Sequence, residues 1–417
     1  MDGSGKKIEE KNQINEFLRT RNLTLELTTN LYPEDMVIQT EEFVSPIKWH
    51  LGHTTWFFEN CLLVPYLKKY RRFRESYNFI FNSYYNSFGD FNSKDRRGFL
   101  NRPILEEVVQ YRKYVEENIC DLFKKTEGTS KKFILELGIN HEQQHQELIL
   151  MDIKNIFFNN PLKPSFKELK VLDKKNKKEK NEFTLNRNIS FKSGWLDKTF
   201  CYDNELPSNE MHLEPFKITN FITNSDWKDF IKNGGYSSYE FWLSDGWDFI
   251  KENNIKRPLY WIDEDYHFTL RGVKKIDNSL PVSHISFYEA HAFANYKGLR
   301  LPNEFEVEYF LKNSSVKGNF LENQNYKELD YSQEKYKDSL YGNLWLWTSS
   351  NYLPFKNYKP FKQELMEYNS KFMCNQFVLK GGSYGTSSNH IRSSYRNFYY
   401  PKDRWQFCGL RLVEDLN

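Results

Sequence analysis

The spacing of apolar residues changes character part-way along this 417-residue chain, and that change limits what it can fold into. Up to about residue 160 glycine is sparse and apolar positions recur at helical spacing, in segments near 8–28, 45–66, 104–125 and 129–158. Ser45-Pro46 reads as an N-cap residue followed by a proline at the first helical position. Thr129 and Ser130 precede the apolar positions Phe133, Ile134, Leu137, Leu148 and Ile149. Four helices of this length predict a bundle, whose core is a usual place for a metal. From about 184 onward short apolar segments alternate with turn residues, as in NGGYSS (233–238), LSDGWDF (243–249), YGNLWLWTSS (341–350) and VLKGGSYGTSS (378–388). This predicts a loop-rich α+β domain with helices near 286–297 and 303–312. The expected organisation is a four-helix metal-binding bundle over 1–165, a lysine-rich linker over 166–183 and a second domain over 184–417.

Composition excludes several classes. The chain is too long for one ordinary core, and 39% hydrophobic residues rule out a disordered polymer. A formal charge of +3, from 59 basic and 56 acidic side chains, supplies no field for collecting nucleic acid or an anionic membrane. The five cysteines, Cys61, Cys120, Cys201, Cys374 and Cys408, are scattered and form no CxxC pair, which predicts reduced thiols. The polar start MDGSGKKIEEKNQ lacks the apolar core of a signal peptide, and no apolar run approaches a membrane span, so a cytoplasmic protein is expected. Between the helical segments, FIFNSYYNSFGDFNSKDRRGFLNRP (79–103) is a long aromatic loop of the kind that is usually functional.

Four of the nine histidines fall on two predicted helices. His141 and His145, in HEQQHQE, are spaced i, i+4 and project from one face. His50 and His53, in KWHLGHTTWFFEN, are spaced i, i+3 on the second helix. Two such pairs place neutral nitrogen donors where a transition metal can bridge them. Spacing alone leaves open whether His50 or His53 is the ligand and whether the metal is zinc or iron. The zinc-protease pattern HExxH also fits 141–145, with Glu142 as its base.

SPIKWHLGHTTWFFEN, FNSYYNSFG and HEQQHQELILMDIK together resemble the N-terminal, DinB-like domain of ergothioneine-type sulfoxide synthases. The second half resembles the formylglycine-generating-enzyme-like domain of the same proteins, a relative of C-type-lectin folds. The stretches that carry it include GGYSSYEFWLSDGW (234–247), VSHISFYEAHAFANYKGLRLPNEFEVEYF (282–310), GNLWLWTSS (342–350) and HIRSSYRNFYYPKDRWQFCGLRLV (390–413). The resemblance implies an iron(II) enzyme that uses dioxygen to join the sulfur of cysteine to the imidazole of Nα-trimethylhistidine (hercynine), leaving a sulfoxide. It assigns the iron to His53, His141 and His145 and leaves His50 as a neighbour. It gives Gln144 the imidazole substrate, Arg97 the cysteine carboxylate, and Tyr84 or Tyr85 the proton delivered during oxygen activation. Trp405 and Phe407 would shape the pocket for the trimethylammonium group, for which aromatic faces are natural partners.

The chain departs from the family pattern in places. Lys94 stands where an arginine is common, and Leu346 where a glutamate is common. The subgroup that takes γ-glutamylcysteine carries an acid and an arginine where this chain has Tyr399 and Asp403, so free cysteine is the expected donor. The cysteine pair of true formylglycine-generating enzymes is not matched by Cys374 and Cys408. Competing readings are an ovothiol- or selenoneine-type synthase, a zinc-dependent DinB-like thiol transferase, and a lectin-like binding module. The absence of a glycine-rich nucleotide-binding motif counts against the ovothiol type, and the four histidines count against the module.

Overall fold

The computed structural model describes residues 3–125, 128–167, 181–331, 339–361 and 363–416, so residues 168–180 of the expected linker lie outside it. The chain divides into two compact units, Met1–Phe166 with Lys362–Leu365, and Lys167–Phe361 with Met366–Asn417. A helical N-terminal region is thus followed by a domain of mixed helix and sheet.

The first unit is built on four long helices, α1 (Gly3–Glu26), α2 (Ile47–Phe58), α3 (Leu105–Lys125) and α4 (Thr129–Asn159). Helix α2 runs on through a π-helical turn, Glu59–Leu63, and a final turn, Val64–Tyr66, so the expected segment near 45–66 is one continuous helical stretch. The N-cap position is Pro46 rather than Ser45, and no side chain caps the helix. Every residue of α2 is buried, as befits the central helix of a bundle. It packs against α3 and α4, while α1 packs against the same two helices. Helix α3 buries one stripe, Val108, Tyr111, Val115, Ile119 and Leu122. Two glycines let aromatic rings lie against the helix backbones. A Cβ on Gly52 of α2 would come within 2.2 Å of the Phe81 ring, and one on Gly138 of α4 within 2.2 Å of the Phe58 ring. The aromatic loop between α2 and α3 is ordered by 3-10 turns at Asn86–Phe88 and Lys94–Phe99.

In the second unit a four-stranded sheet runs in the order β10-β7-β8-β9, with β7 (Trp345–Asn351), β8 (Phe377–Lys380), β9 (Asn397–Tyr399) and β10 (Cys408–Gly409). β10 pairs parallel to β7, with Cys408 opposite Trp345, and the other pairs are antiparallel. A three-stranded sheet joins β1 (Phe183–Leu185), β4 (Phe216–Ile218) and β11 (Val413–Asp415). Two hairpins complete the set, β2 (Ile189–Ser193) with β3 (Asn209–Leu213), and β5 (Tyr266–Thr269) with β6 (Gly272–Lys275).

The helices of this unit are α5 (Asn224–Lys232), α6 (Ser244–Glu252), α7 (Phe287–Lys297) and α8 (Glu304–Lys312). The last two lie where the sequence predicts them, because Ser286 with Glu289 and Asn303 with Glu306 form capping boxes. Helix α6 differs from expectation, since LSDGWDF reads as a turn. Gly246 is there for close packing: a Cβ would sit 2.8 Å from Tyr288 Cβ on α7.

Candidate metal centre

Helices α2 and α4 bring His53, His141 and His145 together, with one ring nitrogen of each within 4.8 Å of the others. All three are buried. His53 is sandwiched between Trp49, stacked at 4.6 Å and 8°, and Trp56 at 5.6 Å and 14°. Its Nδ1 lies 2.7 Å from the Phe81 carbonyl. A carbonyl only accepts, so Nδ1 carries the proton and Nε2 offers its lone pair. Gly52 makes this contact attainable by letting Phe81 lie on the helix. Nδ1 of His145 meets Nδ1 of His50 at 2.7 Å, which likewise leaves Nε2 of His145 for a metal. His50 is therefore not one of the three clustered donors; it stands behind one of them.

Burial sets the protonation of the cluster. It pushes His53 and His145 well below the usual imidazole range, helped by the positive charge each would meet from the other histidines. Burial likewise takes His141 down to about 3, against the opposing pull of Glu142. Three neutral imidazoles that present lone pairs fit a divalent transition metal of the iron or zinc type, with positions left open for other ligands.

Glu142, the base of the protease reading, is committed elsewhere. Its Oε2 accepts from Arg21 Nη1 and its Oε1 from Arg112 Nη2, both at 2.9 Å and fully buried. Burial alone would raise its carboxyl, but the two guanidiniums outweigh that and hold it down at about 2. Sequence reasoning offered no signal for this clamp, because the partners come from α1 and α3, 121 and 30 residues away.

The aromatic loop supplies the remaining residues of this unit. Tyr85 is fully buried and Tyr84 half-buried; their rings stack at 4.5 Å and their hydroxyls lie 3.4 Å apart. Asn82 fixes the pair, accepting from the Tyr85 N–H at 3.0 Å and donating to its carbonyl at 2.9 Å. One ring separates Tyr85 from the histidines: Trp56 on the side of His53, and Phe57, 4.5 Å from the His141 ring, on the other. Arg97 is buried, donating to Ser45 Oγ at 2.9 Å and Ser83 Oγ at 3.0 Å. Its guanidinium lies 3.5 Å over the face of Trp49, so a single indole stands between it and His53. Among the described residues no carboxylate forms an ion pair with Arg97, and burial draws its pKa down to about 9 against the pull of Asp152. Gln144 lies half-buried on α4, one residue before His145.

Trp405 and Phe407 belong to the other unit. Trp405 is buried with its ring edge-on to Tyr399 at 6.2 Å, and Phe407 is enclosed by Tyr384 at 4.4 Å and His284 at 5.7 Å. No disulfide links the cysteines: Cys408 is buried in β10 and Cys374 is exposed. Among the described residues no helix is long and apolar enough to cross a membrane.

The sulfatase-modifying factor enzyme 1-like domain matches residues 173–339 and 337–416, more than half of the chain. The chain belongs to that family. It is also similar to the hercynine oxygenase of Mycobacterium tuberculosis, with 26% identity over 320 residues that span 68% of this chain and 72% of that protein. The hercynine oxygenase of Mycolicibacterium thermoresistibile is 24% identical over 344 residues, 73% of either chain. Ergothioneine biosynthesis protein 1 of Schizosaccharomyces pombe is 27% identical over 234 residues, 52% of this chain and 28% of that protein. These likenesses bear out the resemblance to ergothioneine-type sulfoxide synthases read from the motifs.

Proposed function

We propose that this family member is an iron(II)-dependent oxygenase of ergothioneine biosynthesis. It joins the sulfur of cysteine to the imidazole C2 of Nα-trimethylhistidine and leaves that sulfur as a sulfoxide. The observation that carries the reading is the cluster of three buried histidines, two of them, His53 and His145, with Nδ1 engaged away from the cluster, in a chain similar to two hercynine oxygenases. The reaction balances without another reductant. The C2–H and S–H hydrogens leave with one oxygen atom as water, and the other oxygen stays on sulfur.

Iron(II) held by His53, His141 and His145 would supply oxygen activation and a site where a thiol binds as thiolate. The chain's own residues would do the rest. Arg97, a buried charge with no ion pair among the described residues, would offer the cysteine carboxylate a charge-assisted contact. Gln144 would orient the imidazole, whose C2 must stay near sulfur for the two to couple. Tyr85 packs on Trp56 and Phe57, which touch the histidines, and Tyr84 stacks on Tyr85, so their phenolic protons would favour coupling over oxidation of the thiol alone.

The test is anaerobic loading with iron(II), then cysteine, trimethylhistidine and oxygen, with mass spectrometry of the products. The sulfoxide adduct, and consumption of oxygen that requires both substrates, are expected. Thiol transfer by a zinc-loaded protein without oxygen would overturn the proposal in favour of a zinc enzyme.

A further inference from the structure

Behind the metal-facing side of His145 lies a buried chain of polar groups that the resemblance does not account for. His145 Nδ1 contacts His50 Nδ1 at 2.7 Å, and His50 Nε2 contacts Asp152 Oδ2 at 2.8 Å. The same oxygen accepts from the backbone N–H of Ser45 at 2.9 Å, just ahead of α2. His50 and Asp152 are both almost fully buried. His50 lies one turn before His53 on α2, and Asp152 two turns after His145 on α4, so the two helices that carry the metal-facing histidines also carry this chain.

The proton directions follow from the fixed end. An ionised Asp152 carboxylate only accepts, so Oδ2 takes a hydrogen bond from the Ser45 N–H and another from His50 Nε2. A neutral His50 then has only a lone pair at Nδ1. His145 must place its proton on Nδ1, which leaves the lone pair on Nε2. With the opposite direction His145 would turn an N–H towards His53 and His141 and could bind nothing there. A carboxylate behind the relay also makes the donor nitrogen more basic.

We infer that His50 and Asp152 are positioning residues that select the tautomer and orientation in which His145 binds metal. The inference rests on the reading of His53, His141 and His145 as a metal site, and the experiment separates the two. Cobalt(II), a coloured probe, is titrated into the metal-free full-length protein and into the His50→Leu, His50→Asn and Asp152→Asn variants, with thermal unfolding of each metal-free form as a control. One cobalt per wild-type chain is expected. His50→Leu, which removes the acceptor, weakens binding about 10- to 100-fold, the range typical for outer partners of a metal ligand. His50→Asn can put an oxygen where Nδ1 was, and it returns affinity to within roughly threefold of wild type, a rescue that follows from keeping the acceptor. Asp152→Asn keeps an acceptor but removes the charge, and falls between. Should the leucine variant fail to fold, the order of the other two still decides. Wild-type affinity in His50→Leu or Asp152→Asn would overturn the relay, as would a His50→Asn protein no better than the leucine variant. Cobalt retained by His145→Ala but lost from His50→Leu would make His50 itself the ligand. A wild-type protein that takes up no cobalt would overturn the metal reading beneath it.

Discussion

A carboxylate one residue from a metal-facing histidine can serve as a base or as a brace, and the contacts of Glu142 make it a brace. Two buried guanidiniums hold it; without its charge Arg112 would lose its ion-pair partner, while Arg21 would keep Glu116 at 2.8 Å. Glu142→Gln is therefore expected to cost about 3–5 kcal/mol of stability, the usual penalty for breaking a buried pair from one side. Metal stoichiometry in the folded fraction should stay at one. Denaturant titration and metal analysis check this, and lost turnover with intact stability would restore the role of base. Arg97 presents the opposite case, a buried charge whose hydrogen bonds go to serine hydroxyls and which the Asp152 carboxylate attracts without an ion pair. Arg97→Gln should raise the KM for cysteine by about 10- to 150-fold, the worth of one charge-assisted contact, while cobalt affinity stays unchanged. A variant with the parent KM would show that the carboxylate binds elsewhere. At this scale helical spacing makes four candidate histidines legible, two on each helix, and only the family resemblance chooses His53 over His50. Asp152 was legible in principle, seven residues beyond His145 on the same face. The Arg21–Glu142–Arg112 clamp was not, because it is assembled from three helices far apart in sequence.

Helix α2 shows how an element converts composition into geometry. It is buried on every side, so its small residue serves packing: Gly52 admits the Phe81 ring, and the Phe81 carbonyl then fixes His53. Gly52→Ala should push the ring away, lengthen the bond from His53 Nδ1 and weaken cobalt binding. The cost in stability should be about 1–3 kcal/mol, as for other overpacked cores. Unchanged affinity would show that the stacking on Trp49 and Trp56 is enough to hold the imidazole. The loop after α2 carries the tyrosine pair, and phenylalanine at Tyr84 or Tyr85 should leave metal affinity unaltered while product shifts from the sulfoxide to cysteine sulfinate. Equal product ratios in both single variants would remove the pair from the chemistry. The four long helices could be read from periodicity because apolar residues recur in each at helical spacing, even in α2, which is buried on every side. Helix α6 could not, since its glycine answers to Tyr288 on another helix and only resembles a turn signal in one dimension.

Over the whole molecule, the sequence separates a helical half from a half of short strands and turns, while sheet order is invisible to it. Nothing local announces that β10, two residues long, pairs parallel with β7 about 60 positions earlier, or that β11 joins β1 and β4. Strand partners are chosen by packing between distant segments, and periodicity reports only which face of a strand is buried.

Donor choice is also a property of the whole chain, because it depends on which charged groups remain uncommitted. Arg97 is one. The resemblance implies an acid and an arginine in the γ-glutamyl-binding subgroup at positions where this chain has Tyr399 and Asp403. Asp403 accepts from the Tyr400 N–H at 3.0 Å, and the Tyr399 ring stands edge-on to Trp405. The neighbouring arginine, Arg404, is tied to Glu289 at 2.8 Å. A γ-glutamyl head brings an ammonium and a second carboxylate, and burying either without a partner is costly. One missing charge-assisted contact is worth about 1.5–3 kcal/mol, so kcat/KM for free cysteine should exceed that for γ-glutamylcysteine by at least about tenfold. Competition between the two thiols at equal concentration, with trimethylhistidine as acceptor, measures that ratio directly. A preference for γ-glutamylcysteine would mean that the extra head is bound by groups other than residues 399 and 403. Arg97→Gln in the same competition then shows whether the shared carboxylate contact survives: if it does, the variant should slow both donors by a similar factor and leave their ratio unchanged.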